Sequence, residues 1–437
     1  MADRILSTLK NVMPRSLFWA LQPAYHFALA FFAAIIYGFP SRRLTVIGVT
    51  GTDGKTTLVH LLHEMFAAAG YGVGSLSSLR FKVNDREEPN LLKMTMPGRF
   101  RLQKFLAQCR AAGCHFAVLE VTSQGVMQSR HRFIRFHTGV LTNVTPEHVE
   151  AHGGFERYRS SKLELFRRLP PSGWAVLNRE DPSGGVFAAH TRAHVIWYSR
   201  REVELKRVGH PVRVIAVSPE RIQLEVGDAF LDVGLGGEFN VMNILAAVSS
   251  AMAYGVSPSA MAEAARRIRG LPGRLEYIQR EPFAAVVDYA NTPAAYGAVY
   301  QALQNADGKS QRAGLICVFG APGGGRDRWK RPKLGEIAGR CCREIILTSD
   351  DPDDEDPRAI AEEIRSGMPT DKAAEAKIIV DRREAISAGL RSARAGDTVI
   401  ITGMGAQPWI VVDGKKIPWD DRQVVREEFR ALYPHEH

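Results

Sequence analysis

From Leu44 onward the chain alternates short apolar runs with amphipathic stretches. LTVIGVTG (44–51) is a β-branched run closed by glycine, and VHLLHEMFAAAG (59–70) spaces its apolar residues as a helix ending at Gly70 would. HFAVLEV (115–121) and HTGVLTNV (137–144) are two more buried-strand runs, with helical material between and after them. Residues 193–235 break this rhythm, because VRVIAV and IQLEV alternate like strands of a small antiparallel insert. EFNVMNILAAVSSAMAYG then returns to helical spacing. After LPGRLEYI (271–278) a second series begins, with strand runs AAVVDYA, GLICVFG, EIILTSD, AKIIVD and DTVIITG. The pattern predicts an α/β protein with a boundary at Pro272–Gly273, a pair that interrupts either element type.

The segment ahead of Leu44 differs. Residues 17–39 are strongly apolar but include Gln22, Pro23 and His26, and the unbroken part from Phe27 to Phe39 is too short for a spanning helix. No A-x-A-like cleavage site follows, so the expectation is a helix that docks or lies on a membrane surface. The 437 residues exceed what one core holds and suggest two or three domains. A net charge of +10 suits anionic metabolites, nucleic acid or a membrane surface, but no Lys/Arg-rich tract or RNP-like aromatic motif favours nucleic acid. Five cysteines, an odd number without C-x-x-C spacing, indicate neither a zinc site nor a disulfide framework, and so a reducing cytoplasm.

VTGTDGKTT (49–57) sits between a predicted strand and a predicted helix. Glycines there let backbone N–H groups approach phosphates, Lys55 supplies a cation, the helix N-terminus adds its dipole, and Thr56 offers a hydroxyl to Mg²⁺. Position 49 is Val, so the strict G-x-x-x-x-G-K-[ST] form is not met.

Eight further segments follow in order. They are LEVTSQGVMQSR (119–130), TNVTPEHVEAHG (142–153), YRSSKLELF (158–166), GEFNVMN (237–243), LPGRLE (271–276), VDYANTP (287–293), GGGRDRWKRP (323–332) and TSDDPDDEDP (348–357). Together with GTDGKTT this set resembles the Mur ligase family, ATP-dependent enzymes that extend the peptidoglycan stem peptide, and within it the members adding the third residue. The resemblance implies a P-loop-type central ATPase domain with a parallel sheet (44–272). It also implies a C-terminal Rossmann-like, amino-acid-binding domain (273–437), behind a short apolar helical segment (1–43). Family members of this kind carry a uridine-binding domain at that end, and residues 1–43 are too few for one.

Carried over residue by residue, the resemblance assigns ATP to Gly51, Thr52, Gly54, Lys55, Thr56 and Thr57, with Asn243 toward the adenine and Arg274 and Asp288 reaching in from the C-terminal domain. Two Mg²⁺ sites would draw on Thr56, Glu120, His148 and Lys162, the last as a carbamate. Lys55, Glu120, His148 and Lys162 are then the catalytic set. Thr95, Ser123 and Arg130 would hold the muramoyl peptide, UDP- or lipid-linked. Met96, Gln124 and Asn291 depart from the family pattern on the substrate side, and Glu147 and Glu150 stand in place of aspartates in the motif around His148.

Arg326, Asp350, Asp351, Asp353, Gly403 and Gln407 fall where the family grips the incoming free amino acid. Diaminopimelate enzymes carry T-S-D-N-P-R and G-K-G-H-E at the places where this chain has TSDDPD and GMGAQ. An acid facing an ammonium attracts it, so Asp351 and Asp353 predict a basic amino acid, lysine or ornithine. Asp354, Glu355 and Asp356 read as a solvated helix start. The expected protein is a cytoplasmic monomer, with membrane contact through residues 17–39 and no nucleic-acid partner. The alternatives are a ligase of the same fold for a lipid-linked or a cyanophycin- or polyglutamate-like substrate, and an inactive membrane-associated binding module.

Overall fold

A computed structural model describes residues 15–200, 210–304, 314–412 and 414–433, with side chains from residue 21 onward. The start of the predicted N-terminal unit, residues 1–14, lies outside the described residues.

The first half is built on a sheet formed by β1 (Thr45–Thr50), β2 (Val73–Leu76), β3 (Arg80–Val83), β4 (Arg86–Pro89), β5 (Phe116–Glu120), β6 (Phe136–Leu141), β7 (Trp174–Asn178) and β8 (His194–Tyr198). Their order is β4-β3-β2-β5-β1-β6-β7-β8, and from β2 to β8 every neighbour is parallel. Parallel strands need both faces covered, which is why β1 and β5 read as unbroken apolar runs rather than alternating ones. Helices Lys55–Ala68 and Glu238–Met252 cover one face and Phe155–Arg167 the other. Phe66 of the first helix stacks on Phe116 of β5 at 4.1 Å, a burial that contributes about 2 kcal/mol.

A small antiparallel sheet of β9 (Val212–Val217), β10 (Ile222–Val226) and β11 (Ala229–Val233) packs Ile222, Leu224 and Val226 inward, with helix Pro258–Arg267 behind β11. The insert is shorter than the sequence pattern implied. HVIWY, at its expected start, is β8 and pairs in parallel with β7.

The second half holds β12 (Glu276–Gln279), β13 (Ala284–Asp288), β14 (Leu315–Phe319), β15 (Glu344–Leu347), β16 (Lys377–Ile378) and β17 (Thr398–Thr402) in the order β12-β13-β17-β14-β15-β16. Only β12 runs antiparallel. A hairpin of β18 (Trp409–Val412) and β19 (Lys415–Pro418) and the helix Asp421–Leu432 complete it. The absence of a disulfide, expected from cysteine spacing, is corrected here. Cys317 on β14 and Cys342, just ahead of β15, are joined with Cα atoms 6.0 Å apart. They are 25 residues apart in sequence and meet because parallel β14 and β15 are neighbours, which spacing rules do not see.

The N-terminal helix, Arg15–Ile36, buries Ala30, Ala33 and Ala34 and lies along helix Arg99–Ala111. No helix among the described residues is long and apolar enough to cross a membrane.

Candidate active site between the two sheets

The loop Gly51–Gly54 joins β1 to the helix Lys55–Ala68 at the carboxyl end of the sheet, where an open α/β sheet offers its ligand crevice. Gly54 has φ 83°, and a Cβ there would lie 2.2 Å from the Asn243 side-chain oxygen. Only glycine serves at that point. Asn243, expected at the adenine, is thus placed directly against the phosphate loop, braced by its own bond to Asn240 at 2.9 Å. Lys55 folds back over the loop, donating to the carbonyls of Gly51 (3.1 Å) and Thr52 (2.6 Å). Thr52 donates to the Thr145 carbonyl at 3.0 Å and meets the Tyr158 hydroxyl at 2.9 Å, while Thr57 is buried in the first helical turn.

Three hard oxygen groups converge beside this loop. The Thr56 hydroxyl lies 2.7 Å from that of Ser78, and the Ser78 amide donates to Glu120 at 3.0 Å. Glu120 is almost wholly buried, and burial raises its pKa against the lowering effect of Lys55 and Thr56. No group of three or more His, Cys, Asp or Glu able to hold a metal is found among the described residues. Mg²⁺, however, usually takes one or two carboxylates and completes its shell with water and substrate phosphates. Thr56, Ser78 and Glu120 fit that requirement.

Lys162 is 2 % exposed, donates to the Gly51 carbonyl at 2.7 Å and lies over the Tyr158 ring. Burial, reinforced by Lys55, drives its pKa well below the ordinary lysine value. A neutral amine is what addition to CO₂ requires, so the environment suits the carbamate expected at this position. Burial, then Lys330, lowers His148 to about 4, leaving a neutral imidazole suited to a metal. His152 meets the Ser123 hydroxyl at 3.1 Å.

The second half closes over this platform. Asp327 accepts the Val149 and Glu150 amides at 3.2 and 3.1 Å, capping the short helix Val149–His152 that follows His148. Lys330 is buried, pairs with Glu147 at 3.3 Å and donates to the Asn291 carbonyl at 3.0 Å. Thr292 donates to Asp53 at 3.1 Å. Asp288, its pKa raised by burial, accepts the amides of Leu275 and Ala290, both at 2.6 Å, and so fixes the turn carrying Arg274. Arg274 lies over the Tyr289 ring at 4.3 Å.

At the amino-acid end, Asp350 is buried against Gly403, whose φ is 111° and whose added Cβ would fall 2.1 Å from a carboxylate oxygen of Asp350. Arg382 pins both neighbouring loops, donating to the Ser349 carbonyl (3.1 Å) and the Thr402 carbonyl (3.0 Å) while paired with buried Asp421 at 2.7 Å. Asp351 is not open to a substrate cation as the sequence suggested. It pairs with Lys93 of the first half at 2.5 Å, accepts the Val411 amide at 2.7 Å and has Arg326 at 3.7 Å. Lys93 also donates to the Trp409 carbonyl at 3.0 Å. Asp353 is exposed. Asp356 caps the helix Pro357–Arg365 and Glu355 pairs with buried Arg331, as a helix start would.

At the muramoyl-peptide end Arg130 is held by Gln128 and by the Met96 carbonyl, beside half-buried Thr95. A cavity of about 230 Å³ runs between the halves, lined by Ser78, Asn90, Arg274, Tyr289, Gln407 and Arg422. The Gln407 side-chain oxygen is buried without a partner. A larger cleft of about 1370 Å³ lies between the small antiparallel sheet and the segment 268–277. Its arginines 221, 266 and 280 are already paired with carboxylates. Ser78 and Lys93 were missed in the sequence because no local pattern marks them, whereas Asp53 lies inside the GTDGKTT loop and Asp327 and Lys330 inside the GGGRDRWKRP segment.

Two family descriptions match the chain, the Mur ligase middle domain over residues 49–251 and the Mur ligase glutamate ligase domain over 273–405. A relative from Syntrophomonas wolfei, named UDP-N-acetylmuramoyl-L-alanyl-D-glutamate–2,6-diaminopimelate ligase, is 36 % identical over 92 % of this chain and 82 % of its own length. The chain belongs to the Mur ligase family. A UDP-N-acetylmuramyl-tripeptide synthetase from Roseiflexus sp. is 35 % identical over 94 % of this Mur ligase and 83 % of the relative. The solved structure of a diaminopimelate ligase matches with a TM-score of 0.60 at 27 % identity, covering 94 % of this chain and 83 % of that one. A folylpolyglutamate synthase from Mycobacterium tuberculosis shares the fold, with a TM-score of 0.67 at 18 % identity over 94 % of this chain and 96 % of that one.

Proposed function

We propose that this chain is an ATP-dependent acid–amino-acid ligase that adds the third residue to a UDP-linked muramoyl dipeptide in peptidoglycan precursor synthesis. The observation that carries the reading is the 230 Å³ cavity, which runs from Ser78, beside the phosphate loop and Glu120, to Gln407 at the amino-acid end. The dipeptide carboxylate attacks the γ-phosphorus of ATP, giving an acyl phosphate and ADP. The incoming amine then attacks the acyl carbon, phosphate leaves with the C–O electron pair, and the amine loses a proton.

Such a reaction needs phosphates positioned and charge neutralised more than it needs a side-chain nucleophile. Lys55 and the loop amides would hold the β- and γ-phosphates, and Arg274 would approach them from the closing half. Two Mg²⁺ ions, held by Thr56 with Glu120 and by His148 with carbamylated Lys162, would supply further neutralisation of phosphate charge. Thr95, Ser123 and Arg130 would orient the muramoyl peptide.

For the amino acid, Lys93 and Arg326 both lie beside Asp351, with buried Asp350 next to it. Arg326, half exposed at this corner, suits a distal carboxylate on the incoming amino acid, while exposed Asp353 suits its distal ammonium. Diaminopimelate carries both groups. Lysine or ornithine is the second reading, supported by Asp353 and by Gln407 in place of a glutamate.

The reading includes a monomer in the cytoplasm whose segment 17–39 touches a membrane surface. A panel of amino acids against UDP-linked and lipid-linked muramoyl dipeptides, followed by phosphate release and product mass, tests it. Release is expected only with acceptor and amino acid together, fastest with the UDP-linked acceptor and diaminopimelate. No turnover with any pair would leave a binding module instead.

A further inference from the structure

The N-terminal helix turns a continuous apolar face outward. Leu21, Phe27, Phe31, Phe32, Ile35 and Ile36 are between 41 and 66 % exposed. Phe27, Phe31 and Ile35 follow at i+4 steps, as do Phe32 and Ile36, along one side of the helix, and Phe27 and Phe31 also meet the Phe133 ring at its margin. From Ser16 to Ser41 the sequence holds no Asp, Glu, Lys or Arg. Folded monomers seldom leave so large an apolar stripe uncovered without a use for it.

The rim of this face is basic. Arg132 lies over the Phe27 ring at 5.9 Å, and Arg42 lies over Phe39 at 4.4 Å with exposed Arg43 beside it. Arg99 and Arg130 face His26 from behind the helix, and burial together with their charge holds that imidazole near pKa 4. Among the described residues of this rim, Arg132 has Glu164 at 3.8 Å. Pairing two such faces in a dimer would bring arginine rims together, which like charges oppose. An anionic surface complements the rim instead.

We propose that this face seats the protein on an anionic lipid bilayer, with the helix in the interface plane, its Phe and Ile side chains below the headgroups and its arginine rim at the phosphates. Pro23 and His26 within the helix agree with a resting rather than a spanning segment, as does the absence of a membrane-crossing helix among the described residues.

The test is co-sedimentation of the full chain with vesicles of phosphatidylcholine alone and of phosphatidylcholine mixed with phosphatidylglycerol. Binding is expected to the mixed vesicles only, and to fall as salt rises. Phe32→Ser with Ile36→Ser should weaken it about tenfold or more, as should Arg42→Glu with Arg43→Glu. Both double variants should keep wild-type phosphate release on soluble substrates, which also reports that they fold. Three results would overturn the proposal: no binding to mixed vesicles, equal binding to both, or a dimer in sedimentation equilibrium that Phe32→Ser dissolves. Loss of ligase turnover with vesicle binding intact would refute the proposed function and leave this seat standing.

Discussion

Lys162 is a lysine kept where a charge is costly. Burial holds its folded pKa well below the ordinary lysine value of 10.5, so between the two values the unfolded state binds the extra proton and stability rises with pH. In CO₂-depleted buffer, Lys162→Met should therefore melt higher than wild type at pH 7, by about 2–4 °C for each kcal/mol relieved. The gap should shrink by pH 9, and calorimetry at both values decides it. The same variant should lose phosphate release by about 100-fold or more if the carbamate is needed, since a methionine neutralises no metal charge. Lys93 tests the amino-acid end. Lys93→Gln frees Asp351 and should shift the kcat/KM ratio toward lysine over diaminopimelate by about tenfold, a change of ~1.4 kcal/mol. An unchanged ratio would show that Asp351 does not face the substrate. Lys55, Thr56, Glu120 and Lys162 were legible because each sits in a run with fixed spacing. Lys93 was not, since its partner lies 258 residues away.

At the scale of elements, the one-turn helix Val149–His152 is too short to hold itself, since nucleation costs more than so few bonds return. It takes its cap from Asp327 in the other half. Asp327→Ala should cost about 1 kcal/mol of stability and lower kcat more than it raises the KM for ATP, because His148 loses its support while the phosphate loop is untouched. An effect confined to KM would contradict this. The parallel strands β1, β5 and β14 could be read from the sequence because burial on both faces leaves an unbroken apolar run. HVIWY was misassigned because an edge strand with one exposed flank alternates like an antiparallel one. AKIIVD supplies only two residues to the sheet as β16, where β15 alone is there to pair with it.

Across the whole molecule, the two sheets are joined near the phosphate loop by Thr292–Asp53, Asp327 and Lys330–Glu147, and at the amino-acid end by Lys93–Asp351. A ligand bridging both halves should raise their joint stability by mass action. A non-hydrolysable ATP analogue with Mg²⁺ at 100 times its Kd should add about 2.7 kcal/mol and merge any separate melting steps into one. Two transitions that stay apart would mean that the halves do not share the nucleotide.

Arg382 holds the loops after β15 and β17 by their carbonyls and is itself held by Asp421, at the start of the C-terminal helix. Both loops carry residues of the amino-acid end, yet Asp421 is not one of them. Inheritance thus has two routes to a new substrate. One exchanges residues that face the amino acid. The other drifts at a distance, where a change at position 421 would re-aim Asp350 and Gly403 without altering either codon.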